Sequence, residues 1–452
     1  MKQEPIVFLC YFCLDSYTFL QEYSLKSPKD FHRKMPKHPL ITLVQNKLLL
    51  SSLAEKYGTP LYIYDKEQLV HNIQRLNSIL KKYFKSFHIC YAVKANNNPH
   101  LLKTLKKAVP TLGADCSSPG EIHIAGQNGF EGNDCIYTGN YESPEDLKCA
   151  LDFGAHINLD DIQSFHRLQK IGLPNSISFR LNPGFGKGAF AQITTGGEDS
   201  KFGVPHYDIV HAYELAKNAG VRQFGIQCMT GSGVLDSNYF PNLMIEMLKT
   251  VKKLKDQLNI DMNFISMGGG FGIPYTEDDF PLNFDEVFAG VAKNFHAYFN
   301  QRQEKFPALW IEPGKSVVGD SAILLTRVTG KKESYKSYIG MDAGMETLMR
   351  PALYGAYHRI YKVGSADAPK NTSVDITGRI CENTDRLATN RDFPHVEEGD
   401  LLAVMDVGAY GFSMSHQFCT RPRSAEILLD GETASVIRKR ETIQDIFRQC
   451  YD

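Results

Sequence analysis

The sequence predicts an α/β protein: a closed (β/α)8 barrel of the TIM type joined to a mostly antiparallel β domain. Three observations carry this. Short apolar runs alternate eight times with amphipathic stretches of three- and four-residue spacing. The runs end on glycine or on polar residues suited to chemistry, as strands do at the C-terminal face of a parallel barrel. From about Ser316 the helical stretches give way to strands and turns. An open, doubly wound sheet is the competing arrangement for the first part. The expected division places an extension at residues 1–35, the barrel at 62–315, and the β domain at 36–61 with 316–452.

In chain order, the extension holds an apolar run at residues 6–13, too short to span a bilayer and followed by Asp15. It lacks the small-residue cleavage pattern of a secretory signal. Residues 40–57 are expected to add a strand or a helix to the β domain. The barrel strands are expected at residues 88–93, 110–113, 135–137, 156–159, 177–181, 223–229, 264–267 and 308–311. Helices are expected between them at 99–108, 144–153, 207–219, 242–258 and 284–301. Strands of the β domain are expected at 322–328, 338–341, 373–380, 400–407 and 425–429.

Composition excludes several classes. The chain has 452 residues and a net charge of −1 with both signs spread evenly, so neither a nucleic-acid partner nor a membrane surface is indicated. Its ten cysteines follow no repeating spacing, which points to reduced thiols in a cytoplasmic protein and to no structural metal.

The strand ends carry the chemistry. Lys94 closes an apolar run and opens into Asn96-Asn97-Asn98-Pro99; an amine there can lose its proton to desolvation and attack a carbonyl. Met267-Gly268-Gly269-Gly270-Phe271-Gly272 and Gly231-Ser232-Gly233 offer bare amides to an anion, and no Walker spacing suggests a nucleoside triphosphate. Glu312, before Pro313-Gly314-Lys315, supplies an acid. Asp115 with Cys116, Thr138 with Asn140, Asp160, and Arg180 with Asn182 fill the other strand ends. A lysine, a phosphate cradle and a strand-end acid are what pyridoxal 5'-phosphate requires.

These residues also carry a resemblance. Tyr91-Ala92-Val93-Lys94-Ala95-Asn96 is similar to the cofactor-lysine motif of the alanine-racemase-fold (fold type III) decarboxylases, which act on ornithine, arginine or diaminopimelate. The likeness continues through Asp115-Cys116-Ser117-Ser118, Ser200-Lys201-Phe202-Gly203, the Gly268 run and Glu312-Pro313-Gly314. In the second domain it narrows to the diaminopimelate decarboxylase branch, at Asp342-Ala343-Gly344-Met345, Arg350-Pro351-Ala352-Leu353-Tyr354-Gly355, Cys381-Glu382 and Gly408-Ala409-Tyr410-Gly411. The resemblance implies that Lys94 forms the Schiff base with the cofactor, that Glu312 meets its ring nitrogen, and that Asp115 lies beside it. It implies Ser232, Gly269, Gly270 and Tyr410 around the phosphate. Arg350, Tyr354, Glu382, Lys315 and Tyr410 are implied around an amino-acid substrate, with Cys381 as proton donor. It further implies a homodimer with shared active sites, because Cys381 and Glu382 reach the partner's cofactor in that family.

Three departures from the family pattern fall in the pocket. Met229 stands where the family has a histidine stacked on the cofactor; a thioether is expected to pack there without hydrogen bond or charge. Lys315 replaces an arginine and loses its bidentate fork. Cys381-Glu382-Asn383-Thr384-Asp385 replaces the usual Cys-Glu-Ser-Gly-Asp. The implied activity is decarboxylation of meso-diaminopimelate to L-lysine. The alternatives are a decarboxylase retuned to D- or L-lysine or ornithine, or to a carrier-bound or siderophore-precursor amino acid; a racemase, disfavoured by Glu312; and a catalytically silent paralogue. Arg350 suits a substrate carboxylate unless an internal acid already pairs with it.

Overall fold

Two sheets divide the labour, one closed and one open, in a computed structural model that describes residues 37–450. The extension expected at residues 1–35 lies outside the described residues. The strands up to the end of the closed sheet are β1 (Leu61–Asp65), β2 (Phe87–Ala92), β3 (Gly113–Cys116), β4 (Cys135–Tyr137), β5 (His156–Leu159), β6 (Ser176–Asn182), β7 (Val204–Pro205), β8 (Gln223–Gln227), β9 (Met262–Ser266) and β10 (Ala308–Ile311). Eight of them pair in the order β5-β4-β3-β2-β10-β9-β8-β6, and β5 pairs with β6 to close the barrel. Every pairing around the ring is parallel.

Local chemistry starts the helices between the strands. Asn98, Ser118 and Ser143 each cap a helix whose first turn holds proline, at Pro99–Ala108, Pro119–Gln127 and Pro144–Phe153. Asp161 caps Ile162–Ile171 and Asn283 caps Phe284–Arg302. The N-terminal end of the barrel is plugged by Trp310, which stacks on Phe264 at 4.1 Å and meets His88 and His156 at 5.0 and 5.9 Å. Burial pushes His156 down to about 3, so it serves there as a neutral ring.

The third barrel strand differs from expectation. Residues 110–113 were expected to form it, whereas β3 begins at Gly113. Leu112 N–H folds back on Val109 O at 2.9 Å, making a turn of the segment around Pro110. Gly113 starts the strand because a Cβ there would lie 1.7 Å from Asp134 O, an approach open only to glycine.

The second sheet contains β11 (Ala322–Glu333), β12 (Ser337–Met341), β13 (Ile360–Lys362), β14 (Thr372–Thr377), β15 (Arg386–Phe393), β16 (Leu401–Val404), β17 (Ala425–Asp430) and β18 (Thr433–Arg438). Its main path is β15-β14-β12-β11-β1-β17-β18, with β16 pairing both β11 and β13. Pairings are antiparallel except β1–β17 and β12–β14. Strand β1 thus crosses the boundary expected at residue 62 and lies at the centre of this sheet. Residues 40–57 form two helices, Ile41–Gln45 and Lys47–Tyr57, whose Leu50 and Leu53 pack with Ile63, Ile323 and Leu325. Polar β15 and the largely exposed β18 escaped the pattern because partner strands, and not alternation in their own sequences, hold them. Among the described residues no helix is long and apolar enough to cross a membrane.

One buried network ties the sheets together beneath Lys94. Glu426 accepts from Tyr64 Oη at 2.7 Å and from Asn98 Nδ2 at 2.9 Å, and pairs with Arg438. Asn96 Nδ2 donates to Tyr64 Oη at 2.9 Å and to Gly408 O at 3.0 Å. Replacing Glu426 by alanine strands these buried donors and is expected to cost about 3 kcal/mol. Urea unfolding measures it; an unchanged midpoint would refute the network's role.

Candidate active site

Lys94 stands on a turn, Val93–Ala95, that continues β2 over the barrel mouth. The turn is fixed from three sides: Ala92 N–H donates to Pro313 O at 3.1 Å, Tyr410 N–H to Ala95 O at 2.8 Å, and Ser413 Oγ to Ala95 O at 3.2 Å. Lys94 Nζ donates to Asp115 Oδ2 at 2.5 Å, from β2 to β3, where Ala92 and Asp115 are in register. The lysine side chain keeps 43 % of its surface open, so desolvation is partial. Burial lowers its pKa, but Asp115 and then Tyr410 outweigh that effect and hold the amine above its ordinary value. The expectation of an amine deprotonated by desolvation is therefore corrected: in the free protein Asp115 keeps it charged. The other oxygen, Asp115 Oδ1, is buried without a hydrogen-bond partner.

Glu312 follows β10 and is 5 % exposed. Its Oε1 accepts from Ser266 Oγ at 2.6 Å and its Oε2 from Gln227 Nε2 at 2.8 Å. Burial, followed by repulsion from Asp115, pushes the carboxyl up to about 7; the bonds from Ser266 and Gln227 and the charge of Lys94 pull it back.

The two glycine loops are stitched backbone to backbone. Val234 N–H donates to Gly270 O at 2.9 Å and Glu312 N–H to Gly268 O at 2.8 Å. Gly270 has φ +92°, and a Cβ on it would lie 2.5 Å from Gly231 O, so no side chain fits. Among the described residues the amides of Ser232, Gly233 and Gly270 find no acceptor. Free amides gathered on glycine turns suit a phosphate. Met229 touches this cradle: its Sδ accepts from Gly269 N–H at 3.2 Å, so the thioether does hydrogen-bond, contrary to expectation. Arg180 Nη2 donates to Met229 O at 3.1 Å and steadies that segment from β6.

Two buried cations come from beyond the barrel strands. Arg350 is 2 % exposed and lies 4.5 Å above the Tyr275 ring. No acid among the described residues pairs with it; its Nη1 meets His358 Nε2 at 2.8 Å. His358 Nδ1 meets Met405 O at 2.7 Å, and burial and Arg350 hold its pKa well below normal. A carbonyl only accepts, so His358 carries its proton on Nδ1 and offers Nε2 to the guanidinium. Lys315 Nζ lies 5.7 Å from the same Tyr275 ring, and burial and Arg350 push it down to about 7. Tyr354 stacks on Phe190 of the loop after β6, at 6.3 Å and 13°.

Cys381 and Glu382 lie elsewhere in this chain. Both are exposed on the loop between β14 and β15, which Asp385 pins by accepting from Met345 N–H at 2.6 Å and Ile380 N–H at 3.1 Å. Glu382 lines an open groove with Lys331, Tyr338 and Arg386, apart from the residues around Lys94. The structure thus brings together Lys94, Asp115 and Tyr410 at the mouth, Glu312 on the interior wall, and Ser232, Gly269, Gly270 and Met229 in the cradle. Lys315 and Arg350 meet on Tyr275, and Cys381 and Glu382 stand apart. Sequence reasoning missed Gln227, Ser266, Tyr275 and His358. Period-two alternation in β8 could have found Gln227, which shares the inward face with Gly225.

The residues present fit pyridoxal phosphate: an amine at the strand end, unbonded amides for the phosphate, and a buried carboxyl for the ring nitrogen. Residues 70–319 match the family described as pyridoxal-dependent decarboxylase, pyridoxal binding domain. The chain is 38 % identical over 397 residues to the diaminopimelate decarboxylase of Methanothermobacter thermautotrophicus, covering 88 % of this chain and 92 % of the relative. It is 36 % identical over 408 residues to that of Archaeoglobus fulgidus, covering 88 % and 94 %. The crystal structure of diaminopimelate decarboxylase from M. jannaschii in complex with L-lysine matches with a TM-score of 0.81 at 30 % identity, covering 89 % and 94 %.

Proposed function

From the premise that this chain belongs to the pyridoxal-dependent decarboxylases, we propose that it converts meso-diaminopimelate to L-lysine and carbon dioxide. The observation that carries the substrate is the buried pair of basic groups, Arg350 and Lys315, with no acid among the described residues to neutralise them and the Lys315 amine held near about 7 until an anion arrives. Diaminopimelate has an amino-carboxylate at each end, so the end that does not react needs its own carboxylate grip.

Pyridoxal phosphate is the cofactor, and when bound it supplies the sink for the electron pair left on Cα as the carboxylate departs. The chain's own residues do the rest. Lys94 holds the cofactor covalently, with Asp115 beside its nitrogen. Ser232, Gly233 and Gly270 offer free backbone amides to the phosphate, with Tyr410 and with Gly269, whose own amide donates to Met229 Sδ, beside them. Glu312 keeps a proton on the ring nitrogen. Arg350 and Lys315 take the distal carboxylate, with Tyr354 beside them, and Glu382 takes the distal ammonium. Cys381 Sγ delivers the proton that replaces carbon dioxide on Cα.

Cys381 and Glu382 act across a homodimer with shared sites, each on the partner's cofactor; their exposure, and the groove beside Glu382 that none of the Lys94 cluster lines, support this. The composition, with ten cysteines in no repeating pattern, supports a cytoplasmic setting. Carbon dioxide release across meso-diaminopimelate, L- and D-lysine, L- and D-ornithine, arginine and glutamate tests the substrate. Release from meso-diaminopimelate is expected to exceed every other by at least ~100-fold in kcat/KM. Faster release from any other amino acid of the panel, or none from the panel by cofactor-loaded protein, would overturn the reading.

A further inference from the structure

We propose that Gln227 and Ser266 are positioning residues for the decarboxylation, two neutral donors on neighbouring strands that hold both oxygens of Glu312 and keep its negative charge uncancelled for the cofactor's ring nitrogen. The inference rests on the proposed cofactor chemistry. Its geometry comes from barrel closure. Gln227 on β8 and Ser266 on β9 are direct register partners, Ser266 is in turn opposite Trp310 on β10, and Glu312 follows β10. Glu312 lies two residues beyond that register row on the same side of its strand, within reach of both, and each carboxylate oxygen receives one donor, at 2.6 and 2.8 Å.

The character of the donors matters. An arginine or lysine bonded to Glu312 would cancel its charge, whereas an amide and a hydroxyl fix the carboxylate and leave that charge available. The groups that face Glu312 are Asp115, which disfavours its charge, and Lys94, which favours it; Arg180, Cys90 and Cys228 also feel its field. Arg180 gives its hydrogen bonds to Thr195 O and Met229 O, and Lys94 gives its own to Asp115. Gln227 is 2 % exposed and its Oε1 has no partner, so packing alone does not explain a polar side chain here.

Gln227→Leu and Ser266→Ala test this on the cofactor-free protein, by following the Glu312 carboxyl with carbon-13 labelled glutamate and assigning it through Glu312→Gln. Loss of either donor is expected to raise the proton affinity of Glu312 about tenfold, and Ser266→Thr, which keeps the hydroxyl, to retain the wild-type titration. In the holoenzyme the same variants lower kcat with KM unchanged, and Gln227→Leu adds nothing in a Glu312→Gln background. An unmoved titration in both folded variants would overturn the inference. Absence of visible cofactor absorbance in the wild type would overturn the proposed function instead, and the carboxyl titration would still stand as a separate result.

Discussion

Lys94→Ala is expected to abolish the visible absorbance of covalently held cofactor and to slow carbon dioxide release at least about 1,000-fold. The loss is chemical and not structural. Backbone bonds to Pro313 and Tyr410 hold the turn on which Lys94 stands, and the side chain is 43 % exposed, so truncation opens no buried cavity. Circular dichroism should match the wild type, while the unfolding midpoint should fall because the buried Asp115 loses its partner. A variant that kept the absorbance would place the covalent link on another residue. The protonation state adds a pH signature. Capture of an aldehyde needs the neutral amine, and Asp115 holds Lys94 protonated above its ordinary pKa. Cofactor capture should therefore accelerate as pH rises. Asp115→Asn removes the charge that raises the amine, so the profile should move to lower pH; a profile unmoved or displaced upward would refute the pairing.

Mixing two inactive proteins is expected to restore activity. Lys94→Ala destroys the cofactor side of a site and Cys381→Ala the proton-donor side. In a homodimer with shared sites a randomised mixture gives half heterodimers, each with one intact site, and so about a quarter of wild-type activity. If both groups served one chain's own site, the mixture would stay inactive. Within the chain Cys381 and Glu382 are exposed on a loop that Asp385 pins, and among the described residues no hydrogen bond or ion pair joins either of them to Lys94. An inactive mixture in which heterodimers are demonstrated would refute the shared site.

How far the site was legible follows from what each signal needs. The strand ends at Lys94, Ser232, Gly268 and Glu312 were readable because an apolar run that stops on a polar residue is a local pattern, and their motifs keep their order along the chain. The misplaced third strand was not readable: Pro110 and Thr111 look like the start of an apolar run, and only the close approach of Asp134 O shows why Gly113 must begin it. Gln227 and Ser266 were passed over because a lone amide or hydroxyl in a strand has no meaning until barrel closure sets it beside Glu312. Met229 was identified as unusual, yet the hydrogen bond its sulfur accepts from Gly269 depends on two loops separated by forty residues.

By itself the sequence determined the barrel and the cofactor class and singled out Lys94 as the candidate amine, because alternation, strand ends and motif order are properties of neighbours along the chain. Only the tertiary structure decided that Asp115 holds the Lys94 amine above its ordinary pKa, that no acid among the described residues pairs with Arg350, and that Glu312 is held by two neutral donors. Those are properties of charges and donors brought within a few ångströms by closure of the ring and by the second sheet laid against it. Electrostatic energy depends on that separation in space and on local burial, and neither quantity can be read from spacing along the chain.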